Sequence, residues 1–175
     1  MNESNDSRLV TGLFPDRDSA EAAYTAATER GYSKNDVNLV MSDQTRTTHF
    51  AQGSVETELG NKAAKGAGVG GAIGGTLGAI AAAVAAVGTT LVLPGLGLVV
   101  AGPLAAAAAG AGAGAAGGGL VGALIGWSIP EQRVKDYEDG IRNGGILMGL
   151  QARNDDDAAH LETRWRSGNG QHVYR

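Results

Sequence analysis

"GTTLVLPGLGLVVAGP", residues 88–103, is the most apolar stretch of this 175-residue chain. Pro94, Gly95, Gly97, Gly102 and Pro103 cannot all sit inside one helix, so the chain must turn here. Leu91, Val92, Leu93, Leu96, Leu98, Val99 and Val100 crowd the same turn. Left in water, such a bend exposes an apolar patch large enough to drive association. The sequence therefore predicts a hydrophobic tip, built of Leu91, Leu93, Pro94, Leu96, Leu98, Val99, Val100 and Pro103. Lipid or another copy of the chain is expected to cover it.

On both sides of the turn the chain is uncharged. Positions 66–129 hold no Asp, Glu, Lys or Arg over 64 residues, and 19 of the 29 glycines lie there. Gly66, Gly70, Gly74 and Gly78 recur every four residues, with Ala82 and Ala86 extending the row. Gly110, Gly114, Gly118, Gly122 and Gly126 form a second row, preceded by Gly102 and Ala106. A period of four places each row along one helix face. Glycine costs an exposed helix roughly 1 kcal/mol relative to alanine, so such rows persist only where close backbone contact offsets that loss. Small-xxx-small rows let two helices approach in this way. The expectation is a helical hairpin, arms about 64–88 and 103–127, each roughly 35 Å long at 1.5 Å per residue.

One alternative reading of the glycines fails on context. "GAGVGG" (66–71) fits G-x-G-x-x-G, but a dinucleotide fingerprint needs a strand before it and an acidic residue about 20 positions later. The preceding "ETELGNKAAK" is polar and helix-prone, and Ala-Ala-Ala-Val-Ala-Ala follows. The glycines read as packing surface.

The charged flanks carry the pattern of a folded head. "RLVTGLF" (8–14) reads as a strand. "PDRDSAEAAYTAATERGY" reads as a helix, with Asp18 and Glu21 as an Asp-type capping box, a stripe of Ala20, Ala23, Tyr24 and Ala27, and Gly31 as its stop. "DVNLVMS" (36–42) is a second strand with Val37, Leu39 and Met41 on one face. After the uncharged region, "PEQRVKDYEDGIRNGG" is a helix with Pro130 at its first position and Val134, Tyr137 and Ile141 on one side. "GILMGLQA" (145–152) is a strand, and "NDDDAAHLETRWRSGNG" a helix capped by Asn154 that buries Ala158, Leu161 and Trp165. "QHVYR" closes as a short strand.

Two βαβ units of this size pair into a four-stranded antiparallel sheet covered by two helices, so the expected class is α+β, a ferredoxin-like sandwich interrupted by the Gly/Ala-rich hairpin. Neither half has enough apolar side chains to stand alone. The expected parts are a first half of the head over 1–60, the hairpin over 61–129 with its tip at 88–103, and the connecting helix plus second half over 130–175.

Charge and composition restrict function further. Fourteen basic and eighteen acidic residues give a net charge of −4, which does not suggest a nucleic-acid-binding face. Cysteine is absent, which removes disulfides, thiol catalysis and thiolate metal sites. "MNESNDSRLV" has no apolar core of a signal peptide, so the start of the chain is expected in the cytoplasm. His49, His160 and His172 lack metal-ligand spacing. Asp155–Asp157 fit a helix N-terminus through its dipole. Ser128, ahead of Pro130, reads as a cap. No catalytic residue, cofactor, metal or small-molecule substrate is expected, and the expected partners are the chain itself and membrane lipid. Lys62 and Lys65 at one base of the hairpin, with Arg133 and Lys135 beyond the other, fit a cytoplasmic side of the inner membrane. Hairpins buried together in a soluble cytoplasmic assembly satisfy the same residues.

"VTGLFPDRDSAEAAYTAATERGYSKNDVNLV" and "LPGLGLVVAGPLAAAAAGAGAGAAGGGLVGALIGWSIPEQRVKDYEDGIRNGGILMGL" resemble the bacterial general stress proteins of the YflT/17M-like type and related glycine-zipper proteins. The turn P-G-L-G…A-G-P and the block I-P-E…Y-E-D-G-I-R-N-G-G carry the resemblance most specifically. It implies a stress-induced, non-enzymatic bacterial protein with a hydrophobic central region, and it transfers no catalytic residues.

Overall fold

Alternation along the flanking strands gives the sheet two apolar faces, and each face acquires its own helical cover. The structure is a computed structural model, which describes residues 8–33, 35–50, 90–93, 97–103, 124 and 129–175. Its elements are β1 (Leu9–Phe14), α1 (Arg17–Glu29), β2 (Val37–Ser42), α2 (Asp43–Phe50), β3 (Thr90–Leu93), β4 (Leu98–Ala101), α3 (Glu131–Arg142), β5 (Ile146–Gln151), α4 (Asp155–Ser167) and β6 (Gln171–Tyr174). The class is mixed α+β. All strand pairs are antiparallel, in the order β3-β4-β2-β5-β1-β6.

The two halves of the head interleave. β5 sits between β1 and β2, with Leu13 opposite Leu147 and Val40 opposite the same residue. β1 in turn sits between β5 and β6. Each half thus supplies the strand that the other needs at its centre.

On one face Val10, Phe14, Leu39, Met41, Ile146, Met148 and Leu150 meet Ala20, Ala23, Tyr24 and Ala27 of α1 and Ala158, Leu161 and Trp165 of α4. On the other face Leu13, Val40, Leu98, Val100 and Leu147 meet Val134, Tyr137 and Ile141 of α3, together with Leu124 and Ile129. The helix expected as a mere connection is therefore a third layer. Tyr137 pins it: its hydroxyl donates to the His172 carbonyl at 3.0 Å and accepts from the Thr11 hydroxyl at 2.8 Å. Burial pushes the Tyr137 pKa up to about 12, so the phenol keeps the proton it donates.

Two expectations need correction. Residues 90–93 and 98–101 were expected at the far end of a helical hairpin, and four strands were expected in the sheet. Both runs are strands, paired with each other from Thr90–Ala101 to Leu93–Leu98, and β4 is laid against β2 from Leu39–Ala101 to Ser42–Leu98. The reason is physical: a bend leaves the main-chain groups of 98–101 without partners, whereas the open edge of β2 supplies them. Leu98, Val99, Val100 and Ala101 are all buried within this one chain. Neither lipid nor a second copy is required to cover them. Leu91 and Leu93 lie on β3, and Pro103 directly follows the sheet. Pro94 and Leu96 lie outside the described residues, as do all nine glycines of the two rows and both arms of the expected hairpin except positions 103 and 124.

A third correction is smaller. α1 is capped by Asp16, not Asp18. The Asp16 carboxylate accepts from the Ser19 N–H at 2.8 Å, and that bond, reinforced by the Ser19 hydroxyl, holds its pKa below the usual carboxylate range. At α4 the expected cap is present, Asn154 accepting from the Asp157 N–H at 2.8 Å.

Candidate functional site

The sheet register fixes where the uncharged segments join the head. Thr90 is opposite Ala101, Ala101 is opposite Leu39, and Val37 is opposite Leu150. The start of β3 and the end of β4 therefore lie side by side at the pole of the sheet where β2 begins. α3 runs alongside β1 in the same direction, since Tyr137 reaches Thr11 and a Cβ on Gly140 would meet Leu13. Its start, with Ile129 ahead of it, falls at this pole too. Leu124 is fully buried and accepts from the Ile129 N–H at 3.2 Å. So Thr90, Gly102 and Ile129, described residues next to the uncharged segments, all lie at this pole.

Gly102 makes that arrangement possible. Its φ is +103°, and a Cβ there would stand 2.5 Å from the Val37 carbonyl oxygen and 3.0 Å from Asn38 Cα. No side chain fits where β4 crosses the start of β2.

A polar cleft of about 310 Å³ lies at the opposite pole, lined by Ser42, Gln44, Thr45, Thr48, His49, Arg142, Asn143 and Gly144. Sequence reading missed it, although Ser42-x-x-Thr45 is a recognisable helix start. Ser42 Oγ accepts from the Thr45 N–H at 3.0 Å and bonds the Thr45 hydroxyl at 2.8 Å. Arg142 pairs with Glu138. The hydroxyls thus serve as a cap, and no lining carboxylate stands ready as a base. His49, which lacks metal-ligand spacing, lines this cleft, and its carbonyl accepts from Arg17 Nη1 at 2.9 Å. His172 lies 3.7 Å from Asp136, and His160 is half-buried on α4.

A polar cluster ties the two halves together. Asp157, 7% exposed, accepts from the Tyr32 hydroxyl at 2.9 Å and from Arg30 at 3.1 Å. Tyr32 also accepts from the Arg153 N–H at 2.9 Å, while the Arg153 guanidinium stacks 4.1 Å from its ring. Of the three aspartates read as a helix-dipole run, Asp157 thus has a second task. Tyr32→Phe is expected to cost about 1–3 kcal/mol in denaturant unfolding, because it leaves Asp157 and the Arg153 amide each short of a partner. Among the described residues no group of three His, Cys, Asp or Glu is placed to hold a metal ion.

Comparisons with protein-family models, with curated proteins and with solved structures found no match.

Proposed function

We propose that the chain is a non-catalytic structural protein, of the stress-response kind its resemblance implies, that acts by self-association through the glycine rows of 66–78 and 110–126. The β2-β5-β1-β6 unit with α1 and α4 would be a ferredoxin-like module, each βαβ half split by a strand of the other. The uncharged segments would pack against one another and against those of other copies, giving a ring, filament or tube with a glycine-lined interior. The head would then stay in the cytoplasm.

One observation favours this assembly over a spanning hairpin: the described residues that flank the two uncharged segments belong to the head. Phe50 is buried in the core cluster, and the next described residue, Thr90, is in the sheet. Likewise Ala101 and Leu124 are both buried. A segment that leaves and rejoins one side of a bilayer must cross it an even number of times, and two helical crossings need about 40 apolar residues. Between Phe50 and Thr90 only 66–89 is uncharged, a run of 24, and 104–128 offers 25. Neither suffices. Among the described residues no helix is long and apolar enough to cross a membrane. Contact with the inner membrane would thus be shallow or re-entrant.

The test is particle size in detergent-free buffer. A large discrete particle by light scattering and cryo-EM is the expected result, and a monodisperse monomer overturns the reading. Pelleting with membranes and resisting carbonate would favour the membrane instead. Gly74→Leu with Gly118→Leu is expected to shrink the particle by wedging the seams apart, with thermal unfolding of the head unchanged.

A further inference from the structure

The polar cleft of about 310 Å³ is bounded on one side by α2 and on the other by the end of α3. Thr45, only 3% exposed, lines it and forms its floor. The Ser42 and Thr45 hydroxyls share one hydrogen bond at 2.8 Å, and the Ser42 oxygen also accepts from the Thr45 N–H at 3.0 Å. Two hydroxyls bring two hydrogens and their mutual bond uses one, so the pair has an O–H left to offer a ligand. Beside this floor the chain turns through Gly144, whose φ is +95°, and a Cβ there would meet only Thr45 Oγ1, at 4.0 Å. The turn therefore keeps the floor open.

The walls carry donors and one permanent cation. Gln44 and Asn143 bring side-chain amides, His49 an imidazole and Arg142 a guanidinium, while the lining contains no carboxylate. Two carboxylates on the same helices are already engaged, Asp43 with Arg46 at 2.8 Å and Glu138 with Arg142 Nη2. The Arg142 fork has further N–H groups beyond the one that Glu138 takes. Carbonyls at the end of α3 are covered as well, since Asp139 and Ile141 accept from the Asn143 and Gly144 N–H groups at 3.1 Å each. In a chain of net charge −4 this is a pocket with donors in excess.

We infer that this cleft binds the phosphate group of a small molecule. Its donors converge from the floor and from both walls, which matches a tetrahedral anion whose oxygens point several ways. A planar carboxylate is held best by a whole guanidinium fork, and Glu138 already shares that of Arg142. The volume lies at the small end of ligand sites, roughly 300–1,000 Å³, and suits a phosphate with a short organic group. No base lines the cleft, so the ligand is held and not turned over. The inference goes beyond self-association and does not depend on the glycine rows.

Equilibrium dialysis of the full chain against radiolabelled inorganic phosphate, at constant ionic strength, tests it. Saturable binding is expected. Arg142→Gln is expected to weaken it roughly tenfold, the effect of losing one charged hydrogen-bonding partner. Gln44→Glu places a carboxylate in the wall and should abolish binding, while an acid in the first turn of α2 favours the helix, so a loss there is not a loss of fold. Arg164→Gln removes the same charge from an exposed site on α4, over the other face of the sheet, and should leave binding unchanged. Competition identifies the source of the phosphate: stronger displacement by phenyl phosphate assigns a phosphate monoester, and equal displacement assigns the inorganic ion. Absence of saturable binding overturns the inference, as does equal weakening by Arg142→Gln and Arg164→Gln. Acetate competing as well as phosphate overturns it too. The Gly74→Leu with Gly118→Leu chain should bind phosphate as the unmodified chain does, so failure of the cleft and failure of the glycine seam are read separately.

Discussion

Trp165→Ala is expected to destabilise the head by about 3–5 kcal/mol, the range for deleting a buried tryptophan side chain. Trp165 is fully buried, and its indole packs edge-to-face on Phe14 with ring centroids 5.6 Å apart. Its Nε1–H donates to the Ala23 carbonyl at 3.1 Å, so it joins α4, β1 and α1 at one point. The backbone makes room for it: a Cβ on Gly12 would come within 3.2 Å of the indole, and one on Gly170 within 2.5 Å of the Trp165 carbonyl. Removing the ring leaves a cavity that two helices and a central strand cannot close without moving together. It also leaves the Ala23 carbonyl without that donor. Trp165→Phe should recover about half of the loss, keeping the contact with Phe14 but not the hydrogen bond. Equilibrium denaturation measures both. A loss below about 1 kcal/mol for the alanine variant would mean that α4 is not seated on Phe14 in solution.

Trp165 was legible in the sequence because it sits on a 3.6-period stripe with Ala158 and Leu161. The same holds for Ala20, Ala23, Tyr24 and Ala27, and for Val134, Tyr137 and Ile141, all of which are buried. Period two likewise put Val37, Leu39 and Met41 on one face, where the structure places them. These elements announce themselves because each carries its partner's demand in its own spacing. Two four-residue apolar runs around a Pro/Gly turn carry no such period. Thr90–Leu93 and Leu98–Ala101 are as compatible with a broken helix as with a hairpin, and the difference lies far back in the chain, in the edge of β2 that pairs with Leu98–Ala101. The absence of charge, read as a sign of lipid or a partner copy, is equally what a strand buried on both faces requires. The polar cleft was illegible for another reason: Ser42, His49 and Arg142 become neighbours only when α2 turns back beside the end of α3.

The corrected place of β4 gives the second large effect. Gly102→Ala is expected to cost about 2–4 kcal/mol, because it adds two penalties that cannot relax independently. A φ of +103° is a conformation that side chains other than glycine adopt at about 1–3 kcal/mol. The added Cβ would also meet the Val37 carbonyl oxygen at 2.5 Å, a backbone atom held by the β2–β5 ladder. The less costly escape is for β4 to lift away from β2, which exposes Leu98, Val99 and Val100 while α1, α4 and the four flanking strands stay assembled. Far-ultraviolet circular dichroism would then change little, while binding of an apolar dye would rise and exchange at 98–101 would accelerate. Gly97→Ala is the control. It also has positive φ, at +61°, but its Cβ would meet nothing within 4 Å, so about 1 kcal/mol is expected and β4 should stay docked. Equal effects at the two glycines would mean that backbone conformation alone matters and that β4 does not cross β2 closely. A selective effect at Gly102 would place the root of both glycine-rich segments firmly on the sheet, which is the condition that denies each of them the length to cross a bilayer twice.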